Sequence, residues 1–209
     1  MTIAVREVAA GIWRVADVCV VYLVLPPPRP SGLQTAVAID FGSGAVLDHL
    51  PEMGVDRVTD VLMTHHHRDQ AQGLPRAVEA GIAIHVPPVE QDLFAAVDEL
   101  WRTRQLVNDY NLRQDRFSLV EPVPVSSVVP EYRRQTYSGV EVEVLPTPGH
   151  TTGSVTYLLE RHGRRYGFTG DLIYAPGKVW SLAATQWSYT DNDGPACTVL
   201  SCYLLAERP

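Results

Sequence analysis

Short runs rich in valine and isoleucine alternate along this chain with stretches whose apolar residues recur at helical spacing. Val5 to Val15 and Cys19 to Leu25 read as strands. Pro26, Pro27, Pro28, Pro30 and Gly32 then form a hairpin-like connection. Thr35 to Asp40 is a short buried strand closed by Gly42 and Gly44, and Gly44 to Met53 reads as a short helix. Val58 to Met63 is the next strand. Asp69 to Ala80 is predicted helical, with Gly81 as its C-cap. Gly81 to Val86 is a strand ending at Pro87-Pro88. Glu90 to Leu106 is predicted as the longest helix, with Leu93, Val97, Leu100 and Trp101 at helical spacing. Asn108 to Pro130 carries no regular pattern. Val140 to Leu145 alternates with glutamates as a half-exposed strand should, and Ser154 to Leu159 and Tyr166 to Thr169 flank a turn at His162-Gly163. The tail, Gly194 to Glu207, has helical character. Strands in runs on both sides of a helical middle predict a layered α/β architecture with mixed sheets, and 209 residues suit a single domain over 1–209.

The bulk numbers narrow the function classes. Apolar residues make up 45 % and charged residues 20 %, which suits a globular chain with a full core. A net charge of −7 argues against a nucleic-acid-binding surface, which is usually basic. No apolar run approaches the roughly 20 residues of a membrane-spanning helix, and no signal peptide is legible. Cys19, Cys197 and Cys202 are odd in number and form no CxxC pair, so a reducing, cytoplasmic setting is expected.

The chemistry concentrates in Thr64-His65-His66-His67-Arg68-Asp69-Gln70, directly after a strand. Imidazole nitrogen is a preferred ligand of zinc and iron. In an extended backbone alternate side chains share a face. His65, His67 and Asp69 are therefore expected to point one way, with His66 a bystander on the other side. Two further segments repeat the pattern of a strand end presenting polar groups: Pro146-Thr147-Pro148-Gly149-His150-Thr151-Thr152-Gly153-Ser154, and Thr169-Gly170-Asp171. With Asp40, four apolar runs end in such a residue, and ligand sites in α/β sheets gather at strand ends. His49, His85 and His162 read as surface or core histidines. Cys197 and Cys202 read as helix packing. Tyr174, Trp180, Trp187 and Tyr189 follow Asp171 and suit either a substrate pocket or the core, and Trp101 suits the core.

The order Asp40, then His65, His67 and Asp69 as HxHxD, then His150 in GHTTGS, then Gly170-Asp171 resembles the metallo-β-lactamase superfamily of hydrolases over nearly the whole chain. The resemblance implies a four-layer αββα sandwich of two mixed sheets with metals on one rim. It implies that His65, His67 and His150 hold a first metal and that Asp171 bridges to a second, which Asp69 and the next residue would bind. Asp40 would brace the loop. Two departures follow. Gln70 stands where the family usually has histidine, and an amide oxygen is a weak zinc donor. The family also has a histidine on a later strand, whereas here the last histidine, His162, precedes Asp171. The C-terminal strand and helix of the fold are therefore expected to be missing from this chain, and one well-formed metal site is expected.

The expected function is a metal-dependent hydrolase of a small-molecule ester, thioester, lactone or amide bond, with Zn²⁺ activating a water and Asp69 orienting it or shuttling its proton. A mononuclear iron oxygenase of the persulfide dioxygenase kind is the alternative, because two histidines and a carboxylate suit iron(II). A non-catalytic metal-binding remnant is the third reading. The expected partner is a small molecule, with neither nucleic acid nor membrane involved.

Overall fold

The valine-rich start of the chain folds as a meander, β1 (Ala4–Ala9), β2 (Ile12–Ala16), β3 (Val20–Val24) and β4 (Thr35–Ile39), each strand antiparallel to the last. The single strand expected over Val5 to Val15 is broken at Ala10-Gly11, where Gly11 takes φ 70 and turns the chain back. A 3₁₀ helix, Ala45–Met53, then carries the chain to β5 (Arg57–Leu62), which pairs parallel to β4. β6 (Ala83–Val86) and β7 (Ser127–Val128) extend the sheet in parallel, giving seven strands in chain order. The second sheet is antiparallel, ordered β11-β10-β9-β8, from β8 (Arg134–Tyr137), β9 (Val140–Pro146), β10 (Val155–Arg161) and β11 (Arg164–Phe168). A small ribbon of β12 (Ile173–Ala175) and β13 (Lys178–Val179) follows. This computed structural model describes residues 3–27, 32–103, 117–175 and 178–179.

The helices are shorter than the periodicity predicts. Asp69 to Ala80 divides into α1 (Arg68–Ala71) and α2 (Leu74–Glu79). The break at Gly73 is a close approach of two backbones: a Cβ there would lie 2.2 Å from the Gly44 nitrogen and 2.4 Å from the Ser43 carbonyl carbon. Gly81 ends the segment at φ 69, as a C-cap glycine should. The long helix becomes a 3₁₀ turn (Pro88–Glu90), α3 (Gln91–Ala95) and α4 (Val97–Thr103), interrupted where Ala96 leaves helical geometry at φ −134. Residues 104–106, the tail helix expected over Gly194 to Glu207, and Cys197, Cys202, Trp180, Trp187 and Tyr189 lie outside the described residues.

The inner strands of the first sheet, β3 to β6, are buried on both faces, which is why they read as continuous apolar runs. Alternation sorts them. Ala36 and Ala38 join Val46, Leu74, Phe94 and Val97 in a core beneath the helices. Val37, Ile39 and Leu62 join Val142, Val144, Val155 and Tyr157 in a second core between the sheets. Each fully buried valine or leucine here contributes about 1.5–3 kcal/mol relative to exposure. Among the described residues the helices, the first sheet and the second sheet follow one another as layers, and the rim where β5 and β9 end carries the polar loops. Among the described residues no helix is long and apolar enough to cross a membrane.

Candidate metal centre

Asp40, at the end of β4, is buried and sits at φ 57, a region few non-glycine residues adopt. Its carboxylate holds this conformation against the loop after β5. Oδ1 accepts the Thr64 backbone N–H at 2.8 Å, and the Thr64 hydroxyl donates to Oδ2 at 2.8 Å. Burial pushes the Asp40 carboxyl up to about 8 against the pull of these Thr64 hydrogen bonds, and a cation at the neighbouring histidines would add to that pull. With Asp40 ionised, the Thr64 hydroxyl proton is committed to it. Nδ1 of His65, 3.0 Å from the same hydroxyl oxygen, then carries the hydrogen that donates to it. Nε2 of His65 is left with its lone pair, and this buried atom finds no hydrogen-bond partner among the described residues.

His65 and His67 both stand against His150, whereas His66 faces Glu90. The alternation stops there. His67 is the N-cap of α1 at ψ 147, and the helix begins at Arg68. Asp69 is therefore an exposed residue of the first helical turn, not the third member of an extended face as the spacing predicts. Gln70 in the same turn is buried, and its amide nitrogen donates to Oδ1 of Asp171 at 3.0 Å.

His150 comes from the turn joining β9 to β10. That turn is closed by the Thr147 N–H to the Ser154 carbonyl at 2.8 Å. The ring centroids of His65, His67 and His150 lie 4.6–4.8 Å apart, and one nitrogen from each falls within 4.8 Å of the others. Nδ1 of His67 and Nε2 of His150 are 2.9 Å apart, and Nε2 of His150 is 3.5 Å from Oδ2 of Asp171. Burial is the main force keeping these imidazoles neutral. It holds His65 well below its ordinary value. With help from neighbouring histidines it brings His67 down to about 2. His150 falls to about 4 by burial, which outweighs the upward pull of Glu90. Neutral imidazoles offer lone pairs, the form a metal requires. Burial and the Asp69 charge push Asp171 up to about 6, although its side chain keeps 38 % exposure.

The structure thus brings His65, His67, His150, Asp171 and Gln70 together, with Asp69 near enough for its charge to act on Asp171. The other histidines sit elsewhere: His49 beside Glu52, His85 beside Asp60, and His162 in the β10–β11 turn at φ 51. The side chain of Tyr174 lies outside the described residues. Two residues escape sequence reasoning. Phe117, 54 % exposed, stands edge-on to His67 with centroids 5.3 Å apart. Arg68 secures it by two hydrogen bonds of 3.0 Å to the Ser118 carbonyl. Glu90, fully buried, faces His66, whose side chain is therefore part of the structure around the site and not idle. A cavity of about 560 Å³ lined by Arg134, Glu141, Arg161 and His162 contains none of these residues.

Three neutral nitrogens from two loops, one of them (Nε2 of His65) buried without a hydrogen-bond partner among the described residues, fit a divalent metal. A family model described as the Metallo-beta-lactamase superfamily matches residues 17–200. The chain belongs to the metallo-beta-lactamase superfamily. A hydroxyacylglutathione hydrolase of Methylobacterium nodulans is 31 % identical over 136 residues, 65 % of this chain and 41 % of that protein. One from Pseudomonas savastanoi is 27 % identical over 148 residues, 70 % of this chain and 46 % of that protein. The matched stretches span less than half the length of these relatives. The superfamily fold is also seen in the FEZ-1 metallo-beta-lactamase of Legionella gormanii. That structure has a TM-score of 0.63 at 17 % identity, covering 93 % of this chain and 71 % of that one. A HARLDQ-motif mutant metallo-beta-lactamase of Cronobacter sakazakii gives a TM-score of 0.63 at 18 % identity, covering 80 % of this chain and 64 % of that one.

Proposed function

We propose that this chain hydrolyses a small-molecule thioester with one divalent metal, zinc, held by His65, His67 and His150. The observation that carries the reading is the convergence of three buried imidazoles beside Asp171. The name of the relatives, hydroxyacylglutathione hydrolase, supports an acylated thiol as the substrate class. Held by these three histidines, a divalent metal would supply a coordinated water of lowered pKa and a Lewis acid for the scissile carbonyl.

The chain's own residues supply the rest. The Asp40–Thr64 pair fixes the tautomer and ring orientation of His65. Asp69 lies in the first turn of α1, its carboxyl is raised by partial burial, and its charge acts on Asp171, which supports it as the group that takes a proton from water. Gln70 aims an amide N–H at Asp171, offering a proton where a second metal would need a lone pair. This supports one metal per chain. Phe117 supplies an apolar wall beside His67 for the acyl or thiol portion of the substrate. The net charge of −7 supports a small-molecule substrate over a nucleic acid, and the cysteine usage supports a reducing, cytoplasmic setting.

Metal analysis of the purified chain is expected to give about one divalent ion. Free thiol should be released from a hydroxyacyl thioester of glutathione, and His150→Ala should abolish the release. Bound iron with oxygen uptake on a persulfide, and no thiol released from any thioester, would overturn the reading.

A further inference from the structure

Glu90 ends the 3₁₀ turn after β6 with no solvent exposure. Burying a carboxylate is costly unless its charge and lone pairs are met. Oε1 accepts from the Thr151 hydroxyl and from the Gly153 N–H, the latter at 3.1 Å. Oε2 lies 3.1 Å from Nδ1 of His66, at ion-pair distance but oblique to hydrogen-bond geometry. Thr151 adjoins His150, and His66 lies between His65 and His67. One carboxylate therefore touches the backs of both segments that present the three imidazoles.

The path of the His150 loop is fitted to this group. A Cβ at Gly153 would lie 2.4 Å from Cγ of Glu90 and 3.0 Å from Cδ. Gly153 is not among the positive-φ glycines, so it is space beside Glu90 that requires glycine here. The Thr151 hydroxyl is also 2.6 Å from the Ser154 hydroxyl, which in turn accepts the Thr151 N–H at 3.2 Å, so the grip extends around the turn.

We propose that Glu90 is the positioning residue of the metal centre: it sets the separation between the His65–His67 segment and the His150 loop, and so the coordination geometry, without touching the metal. This rests on metal binding at the three histidines. The test is titration of the full 209-residue chain with Co²⁺, following the visible absorption bands that report ligand geometry. Wild type should bind about one equivalent. Glu90→Ala should bind on the order of 10- to 100-fold more weakly, with shifted bands. Glu90→Gln keeps an acceptor oxygen for Thr151 and Gly153 and should restore most of the affinity and the wild-type bands. Gly153→Ala should weaken binding in the wild type and add little further loss on top of Glu90→Ala, the non-additivity of two residues acting through one contact. A folded Glu90→Ala with wild-type affinity and bands overturns the assignment and leaves the metal reading intact, whereas a wild type that binds no Co²⁺ overturns both. If Glu90→Ala does not fold, as judged by near-UV circular dichroism, Gly153→Ala decides: a folded variant with wild-type affinity overturns the assignment.

Discussion

At Gln70 the identity of one terminal group sets what the neighbouring carboxylate can do. The amide nitrogen, 3.0 Å from Oδ1 of Asp171, occupies that oxygen with a hydrogen bond. An imidazole at the same place would present a nitrogen lone pair beside Asp69 and Asp171. Gln70→His is therefore expected to raise bound metal from about one to about two equivalents per chain. Metal analysis after dialysis checks this, and a ratio that stays at one would show that the residue does not limit the second position. His65, His67, His150 and Asp171 were legible in the sequence because ligand residue types at strand ends advertise themselves. Asp69 reaches its position from the first turn of a helix that begins at Arg68, not from the period-two alternation that the spacing predicts. Glu90 was illegible because an acidic residue after Pro87-Pro88 reads as a helix start, and its partners are distant in sequence: His66 is 24 positions before it and Thr151 is 61 positions after it.

Strands are tied together at the element scale by a polar chain that no periodicity announces. Asp60 on β5 lies 3.0 Å from Nε2 of His85 on β6, and Nδ1 of His85 lies 2.8 Å from the Ser127 hydroxyl on β7. Ser138, in the β8–β9 turn, donates to the other oxygen of Asp60 at 2.6 Å, joining the two sheets. Burial raises the Asp60 carboxyl, and the hydrogen bonds from His85, Ser138 and Thr59 outweigh it, holding the group below 3.8. A carboxyl held lower in the folded state stabilises above its unfolded value and loses that contribution as pH falls through the folded one. Asp60→Asn is expected to cost about 1–2 kcal/mol at pH 7 and progressively less below about pH 4. Urea unfolding at both pH values measures it, and an equal cost at pH 7 and pH 3 would remove charge from the explanation. The same scale shows where pattern reading stopped. The inner strands were legible because burial on two faces leaves an apolar run. β8 was missed because Arg134, Gln135 and Thr136 are all exposed and only Tyr137 is buried. The break at Gly73 was invisible because it is imposed by Gly44, 29 residues earlier.

Among the described residues the two large sheets lie in face contact, and the three histidines meet at one rim of that contact. His65 and His67 belong to the loop leaving β5 of the first sheet, and His150 to the turn between β9 and β10 of the second. A metal held by all three would cross-link elements 83 to 85 residues apart in the chain, across the edge of the inter-sheet core. Binding to the folded state alone stabilises by mass action, about 2.7 kcal/mol at a free metal concentration 100 times Kd. Chelation is therefore expected to lower Tm by several degrees. It should also increase amide hydrogen exchange in residues 147–154 and 64–67 more than in β4 or β5, whose hydrogen bonds lie inside the sheet. His150→Ala detaches one sheet from the site, so its Tm should already be low and chelator should shift it little. If chelator shifts wild type and His150→Ala equally, the ion responsible binds elsewhere, and the two sheets are held at this rim by packing and the Glu90 contacts alone.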